Sequence, residues 1–429
     1  MSNCQSFIIC GGKPLCGRIT PAGNKNAALP MIAAALLTDE EVIFENTPDI
    51  GDVRNMAALA GEIGADVSWD HGNSELRIRA ANLKGPELPP KLCAEIRASI
   101  LFAAPLLARL GKAEMAPPGG DVIGRRRLDS HFCGLQSLGA DIDSNGVYRF
   151  AAPQGLTAAD IFMPEAGVTA TEQLVMAAVL AKGRTVLRNA ASEPHVSDLC
   201  VLLKKMGAKI YGIGSNVLTI DGVEKLGGAR HRIVADHTEV GSFLALAAAT
   251  GGEITVADAV PEHYAMTARA FHRLGINLEF ADNEVTVRAA QPRCVTPDWG
   301  GGIPVIDDGP WPHFPSDQMS VMLVLATQIR GTVLFFEKMY ESRMYFVGRL
   351  IAMGANAVIC DPHRVVINGP AQLHGIELSS PDIRAGMALV AAALCAKDRS
   401  IIRNVHQIDR GYERIEQKLA ALGADIERV

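Results

Sequence analysis

Apolar residues recur along the chain in two alternating rhythms, and their succession predicts a mixed α/β protein. One rhythm is a run of small and apolar residues long enough for a helix, as at Ala27 to Leu37, Ile100 to Leu110 and Ala385 to Ala396. Helices so rich in alanine suit close packing in an interior and offer no open solvent face. The other rhythm is a short strand of alternating apolar and polar residues. Leu278 and Phe280, the turn Asp282-Asn283, then Val285 and Val287 predict a hairpin, and Asn145-Gly146 marks a similar turn.

The two rhythms are joined by a phrase that returns six times: an apolar residue, Gly, a usually small residue, then an alternating strand. The glycines are Gly64, Gly139, Gly207, Gly275, Gly354 and Gly423, at spacings of 75, 68, 68, 79 and 69. Glycine suits the left-handed position that ends a helix, and the Leu, Ile or Met before it closes the buried face. The sixth copy stops at Ala424-Asp425-Ile426 with no return strand, and Phe7-Ile8-Ile9 is a strand without a partner. The N-terminus is therefore expected to complete the last unit. Six such units are too many for one core, so three plus three in two halves that meet at a cleft is the simplest arrangement. The expected domains are residues 22–232, and residues 1–21 with 233–429.

About 39 residues before each glycine, the first turn of the long helix holds Lys25, Arg97, Thr169, Glu239, Asp317 and Arg384. Helix N-termini present free N–H groups and a partial positive charge, and three of these six positions add a cation. An anion site is expected where they converge. The alternative is that each residue caps or solvates its own helix.

Charge and composition narrow the function. Lys plus Arg 41 against Asp plus Glu 47 leaves −6, so there is no electrostatic reason to expect a nucleic-acid or anionic-membrane partner. Apolar stretches such as Ile100 to Leu107 fall far short of the roughly 20 residues that span a bilayer, and no basic segment leads into an apolar core near Met1. A cytoplasmic protein is expected. Nine cysteines without a CxxC pair argue against a disulfide framework or a thiolate metal site, and Cys133 is expected to pack inward from its helix.

Two segments read as functional loops. Pro117 to His131 combines a Pro-Gly hinge, Asp121, three consecutive arginines and Asp129, which suits a lid that brings charge to a ligand. A solvated basic turn is the alternative. In Ile408 to Arg414, Gly411 breaks any helix that would otherwise run on to Ile415, and a surface ion-pair cluster is the alternative.

Five phrases, in this order along the chain, carry a resemblance: GNKNAALP at Gly23 to Pro30, IRAS at Ile96 to Ser99, GGDVIGRRRLD at Gly119 to Asp129, FPSD at Phe314 to Asp317, and IDRGYERIE at Ile408 to Glu416. The sequence resembles the enolpyruvyl transferases over essentially its whole length, and most closely the branch whose acceptor is UDP-N-acetylglucosamine. The resemblance implies a two-domain inside-out α/β barrel with six βαβαββ units, three per domain. It implies transfer of the enolpyruvyl group of phosphoenolpyruvate to a sugar hydroxyl through a tetrahedral phospho-ketal, with loss of phosphate. Such chemistry requires cations and two acid/base groups, but no metal and no redox cofactor. Nothing in the sequence calls for an obligate protein partner.

Carried over by position, Lys25, Arg97, Arg126, Arg384 and Arg410 resemble the family's phosphate and carboxylate clamp; the resemblance also puts Lys25 at the reacting centre as a catalytic residue, with Asn26 beside it. Asp317 matches the aspartate that deprotonates the attacking hydroxyl. Asp121 stands where many relatives carry the cysteine that fosfomycin alkylates, a natural variation that keeps the activity and removes the thiol. Arg126, Arg127, Leu128, Asp129 and Ser130 match the loop around the uridine, with Asp129 aimed at the uracil edge and His131 just beyond. Glu165, Ala166, Gly167 and Val168 match the diphosphate loop. The departures are Arg127, where proline is common, Glu165, where the residue is often basic, and Thr169, where glycine is usual. Met339 matches an apolar position lining the sugar, and Arg343 in the next turn is either part of that lining or structural. A different acceptor, such as shikimate 3-phosphate or a nucleoside monophosphate, is the runner-up, and a non-catalytic nucleotide-sugar-binding paralogue is the third possibility. Retention of the clamp and of both aspartates argues against the last.

Overall fold

The structure is a computed structural model and describes residues 5–121, 123–124 and 127–429. The chain divides into two compact units: Gly23–Asp121 with Arg126–Val234, and Met1–Ala22 with Val122–Arg125 and Ala235–Val429. Each unit has its own hydrophobic core.

Three small sheets lie in each unit, and five of the six sheets share one pattern. In the second unit, Val305–Asp307 runs parallel to Gly331–Phe336, which pairs antiparallel with Arg364–Gly369, and that strand in turn with Ala357–Ile359. The sixth glycine's sheet repeats this order with a strand from the opposite end of the chain. Glu377–Ser379 is parallel to Arg399–Arg403, and Ser6–Cys10 lies antiparallel between Arg399–Arg403 and Asp425–Arg428. Phe7 and Ile9 face the core, and the Arg428 guanidinium sits 4.8 Å above the Phe7 ring. The sheet of Lys112–Met115 is the exception with three strands. Its parallel neighbour shrinks to one bridge at Glu87, between Pro86 and Pro89, which have no N–H to give a ladder.

The long helices are buried on almost every side, as their alanine content requires. His237–Thr250, Ser316–Thr327 and Ile383–Cys395 pack together in one unit. Lys25–Ala34 and Val168–Ala178 are their counterparts in the other. The segment from Ile100 is not one α-helix: Arg97–Phe102 winds as a 3-10 helix before Ala103–Leu110. Pro105 brings no N–H to the carbonyl of Leu101, so the α-helical ladder cannot extend back through that turn.

All six phrase glycines have positive φ, from 69° at Gly275 to 108° at Gly207. At each, the residue after the glycine donates its N–H to a carbonyl five positions back, as in Ala65 to Ala60 and Ala424 to Leu419, both at 3.0 Å. This bond ends the helix in a Schellman turn, a conformation that side chains with a Cβ disfavour. The apolar residue before each glycine is buried.

Candidate active site

In the unit that begins at Gly23, Asn24 caps the helix Lys25–Ala34 by accepting the N–H of Ala27 at 3.1 Å. A lysine as first helical residue opposes the helix dipole. Its cost is offset by Asp52, in the first turn of the helix Gly51–Glu62, whose Oδ2 lies 2.7 Å from Lys25 Nζ with both side chains nearly buried. Asn26 follows half-buried.

Arg97 opens the 3-10 helix, and its Nη2 donates to the carbonyl of Arg127 at 2.9 Å. The preceding loop lies directly on this turn. A Cβ at Gly119 would sit 1.6 Å from the Ala94 carbonyl, and one at Gly120 would sit 3.1 Å from Arg97 Cβ. The two glycines thus bring Asp121, half-buried, up beside the start of the Arg97 helix. Arg126 lies outside the described residues. Arg127 is exposed and paired with exposed Asp129, whereas Leu128 and Ser130 are buried.

Ser130 donates its hydroxyl to Glu165 Oε1 at 3.1 Å. His131 beside it belongs to a chain of fixed polarity. Gln173 Nε2 donates to the Ile100 carbonyl at 2.8 Å, so its Oε1 accepts from His131 Nδ1, and His131 Nε2, 3.1 Å away, accepts from the Thr169 hydroxyl. Burial pushes the His131 imidazole down to about 4, against the Gln173 hydrogen bond and with the help of the Arg97 charge. The ring is neutral at working pH. Val168 and Thr169 begin the helix Val168–Ala178, both half-buried, so residues 130–131 and 165–169 are tied by side-chain hydrogen bonds.

Cys133 points outward rather than inward. The buried face of its helix is taken by Ser130, His131, Gly134 and Leu135, which turns position 133 to solvent.

In the other unit, Asp317 stands in the first turn of Ser316–Thr327, where a carboxylate suits the helix dipole. Two guanidiniums hold it: Arg343 Nη2 is 3.0 Å from Oδ1 and Arg384 Nη2 is 2.7 Å from Oδ2. Arg384 also donates from Nη1 to the Tyr412 hydroxyl at 3.2 Å, and Tyr412 shares a 2.9 Å bond with Ser242. Burial opposes the Arg384 charge, but Asp317, Tyr412 and Asp236 outweigh it and hold the guanidinium firmly protonated. Asp382 caps the Arg384 helix, accepting the N–H groups of Arg384 and Ala385 at 2.9 Å each. His237, buried at the start of the neighbouring helix, is pushed down by burial against the charges of Asp236 and Asp317. Arg410, half-buried, donates to Gln407 at 3.0 Å. Met339 is 41% exposed, on a turn that presents it to solvent.

Glu239 has a structural use. It accepts the Ala22 N–H and the Lys418 ammonium, both at 2.6 Å, and does not face a ligand as a free anion. Arg343, left open by the sequence, is buried against Asp317 and Glu337.

Sequence reasoning missed Asp52, Gln173, Tyr412, Asp308 and Glu337. Asp52 reads as an ordinary first-turn acid, and Gln173 lies within an apolar helix. Tyr412 lies inside IDRGYERIE, which was the only signal for any of the five. Among the described residues no helix is long and apolar enough to cross a membrane.

Each unit thus holds a cation at a helix start against a carboxylate, Lys25 against Asp52 in one and Arg384 against Asp317 in the other. Residues 9–419 match the family EPSP synthase (3-phosphoshikimate 1-carboxyvinyltransferase), and the chain belongs to this family of enolpyruvyl transferases. Within it, the chain is 54% identical over 425 residues to UDP-N-acetylglucosamine 1-carboxyvinyltransferase of Borreliella burgdorferi, with 99% of each chain covered. It is 51% identical over 423 residues to the protein of that name in Bradyrhizobium diazoefficiens, covering 99% of this chain and 98% of the relative. Among solved structures, the enolpyruvyl transferase NikO from Streptomyces tendae superposes with a TM-score of 0.87 at 23% identity, with 99% of each chain covered. EPSP synthase from Acinetobacter baumannii superposes with a TM-score of 0.75 at 17% identity, again with 99% of each covered. At those identities the likeness concerns the fold alone.

Proposed function

We propose that this protein transfers the enolpyruvyl group of phosphoenolpyruvate to the 3-hydroxyl of UDP-N-acetylglucosamine with release of phosphate, the first committed step of peptidoglycan precursor synthesis, in the cytoplasm. The observation that carries the reading is Asp317 held between Arg343 and Arg384 in a family member half identical to enzymes of that name. The six sheets are read as six βαβαββ units, three to a domain, in two inside-out barrels, with domain boundaries near residues 22 and 232.

In the first step the acceptor oxygen bonds to C2 of phosphoenolpyruvate as C3 gains a proton. In the second, C3 loses a proton and the C2–O bond to phosphate breaks. Lys25, Arg97, Arg126, Arg384 and Arg410 are assigned to the anionic donor, whose charge bidentate guanidiniums both bind and orient. Asp317 is assigned to the acceptor proton. A carboxylate gripped by two guanidiniums is a weak base, so Arg384 must turn some of its donors to the donor's anionic groups; its five N–H groups permit this. Asp121 is assigned to C3 as general acid. Asn26, Arg127 to Ser130, Val168, Thr169 and Met339 are assigned to the nucleotide sugar.

The test is phosphate release from phosphoenolpyruvate with UDP-N-acetylglucosamine, shikimate 3-phosphate or UMP as acceptor. Turnover with the UDP-sugar alone is expected, and turnover only with one of the others would overturn the acceptor.

A further inference from the structure

Asp308 and Glu337 directly follow two parallel strands, Val305–Asp307 and Gly331–Phe336, whose register sets Asp307 opposite Phe336. Both acids are fully buried. The donors around them go mostly to Glu337. Glu337 accepts the Ser316 hydroxyl at 2.8 Å and the N–H groups of Met339 and Tyr340 at 3.2 and 3.1 Å, while Asp308 Oδ1 accepts the Lys338 N–H at 2.5 Å. Asp308 Oδ2 is buried, and among the described residues no N–H or hydroxyl donates to it. A proton on Glu337 supplies that donor. Arg343 is the cation at the pair, with Nε 3.5 Å from Glu337 Oε2. Two adjacent carboxylates cannot both ionise beside one guanidinium that Asp317 also claims.

We propose that Glu337 is a positioning residue that shares one proton with Asp308, and so sets both the aim of Asp317 and the height of the turn 338–343. The inference rests on the proposed role of Asp317 as base. Glu337 reaches Asp317 by two routes. It holds Ser316, the residue before Asp317, and it flanks Arg343, whose other face holds Asp317 and whose guanidinium lies 5.0 Å from the Tyr340 ring centre. The same turn displays Met339. Its Ser342 N–H donates to the carbonyl of Ile123 in the lid segment at 3.1 Å, and a Cβ on Gly124 would meet Glu341 at 2.2 Å. One buried carboxyl therefore fixes the base, the acceptor-facing residue and the seat of the lid tip.

Burial, and then the hydrogen bond with Asp308, push the Glu337 carboxyl up to about 9, against the pull of Arg343. The charged and titratable groups that face the cluster are Asp308, Arg343, Asp317, Asp382, Tyr340 and His363, the last bonded to the Glu337 carbonyl at 2.7 Å.

The experiment compares full-length wild type with Glu337→Gln and Glu337→Ala. An amide keeps the acceptor oxygen and donates to Asp308 as the protonated acid does. Glu337→Gln is therefore expected within about threefold of wild-type kcat, and Glu337→Ala about 50-fold lower in kcat, with KM for phosphoenolpyruvate changed less than about threefold. Equal damage in both variants, or none in either, overturns the proposal. Thermal unfolding from pH 5 to 9 supplies a readout that needs no turnover. A carboxyl raised on folding binds its proton in the native state only, so its contribution is lost as pH rises toward 9. Glu337→Gln should remove one proton's worth of that slope, and an unchanged slope overturns the shared proton. If wild type fails to turn over while the slope behaves as expected, the functional reading has failed and the proton-sharing pair has not.

Discussion

The Nη2 of Arg384 donates to Oδ2 of Asp317 at 2.7 Å, and both residues sit in the first turns of helices packed against each other. The arginine proposed to bind the anionic donor and the aspartate proposed to take the acceptor proton are thus already paired with each other. Lysine at 384 would keep the charge but could not span Asp317 and the Tyr412 hydroxyl together. Arg384→Lys is expected to lower kcat/KM for phosphoenolpyruvate by about 100-fold, roughly 2.7 kcal/mol of transition-state stabilisation. Steady-state kinetics at constant ionic strength check it, and a loss under about fivefold would remove Arg384 from the clamp.

Lys25 and Asp52 form the corresponding buried pair in the other unit. Removing one partner leaves an uncompensated charge, which typically costs about 3–5 kcal/mol. Asp52→Asn is expected to lower unfolding stability by about 3 kcal/mol and to reduce turnover by misaiming Lys25. Urea titration reads the first and phosphate release the second. A fully stable Asp52→Asn would show that Lys25 does not depend on the pair.

Much of this architecture was legible in the sequence because it is written in local rules. A glycine forced to positive φ, an apolar residue before it and an alternating strand after it recur with each helix end, so Gly64 through Gly423 could be counted without a structure. The first-turn positions followed from that count. What stayed illegible depends on tertiary partners. Asp52 faces Lys25 across two helices, and Asp308 meets Glu337 only because two parallel strands end side by side. Glu239 illustrates the converse: its position in the repeat matched the others, but Lys418, far along the chain, took up its charge. The 3-10 turn at Arg97 was missed because composition alone gave too little weight to Pro105.

The neutral His131 makes stability depend on acid. Its imidazole titrates near 4 in the folded protein and near 6.5 when unfolded, so the unfolded chain binds the extra proton between these values. Stability is full above about pH 6.5 and is lost as pH falls toward 4, by up to about 3 kcal/mol. His131→Asn is expected to be weaker than wild type at pH 7, with a flatter decline between pH 6.5 and 4.5. Chemical denaturation at both ends of that range measures it; parallel declines in the two proteins would mean that His131 is protonated in the native state.

Asp121 carries the last prediction, because carboxyl and thiol differ in both nucleophilicity and acidity. A carboxylic acid cannot form the thioether by which fosfomycin inactivates cysteine-bearing relatives, so purified wild type is expected to show only weak inhibition without time dependence. Asp121→Cys should gain progressive inactivation. Acting as a general acid, Asp121 serves only while protonated, so the activity that depends on it should fall as pH rises. A thiol near 8.5 holds its proton further, so Asp121→Cys should carry the alkaline limb of kcat to higher pH. Parallel pH profiles in the two proteins, or rapid inactivation of wild type, would remove Asp121 from the proton-donating role, whatever the lid does.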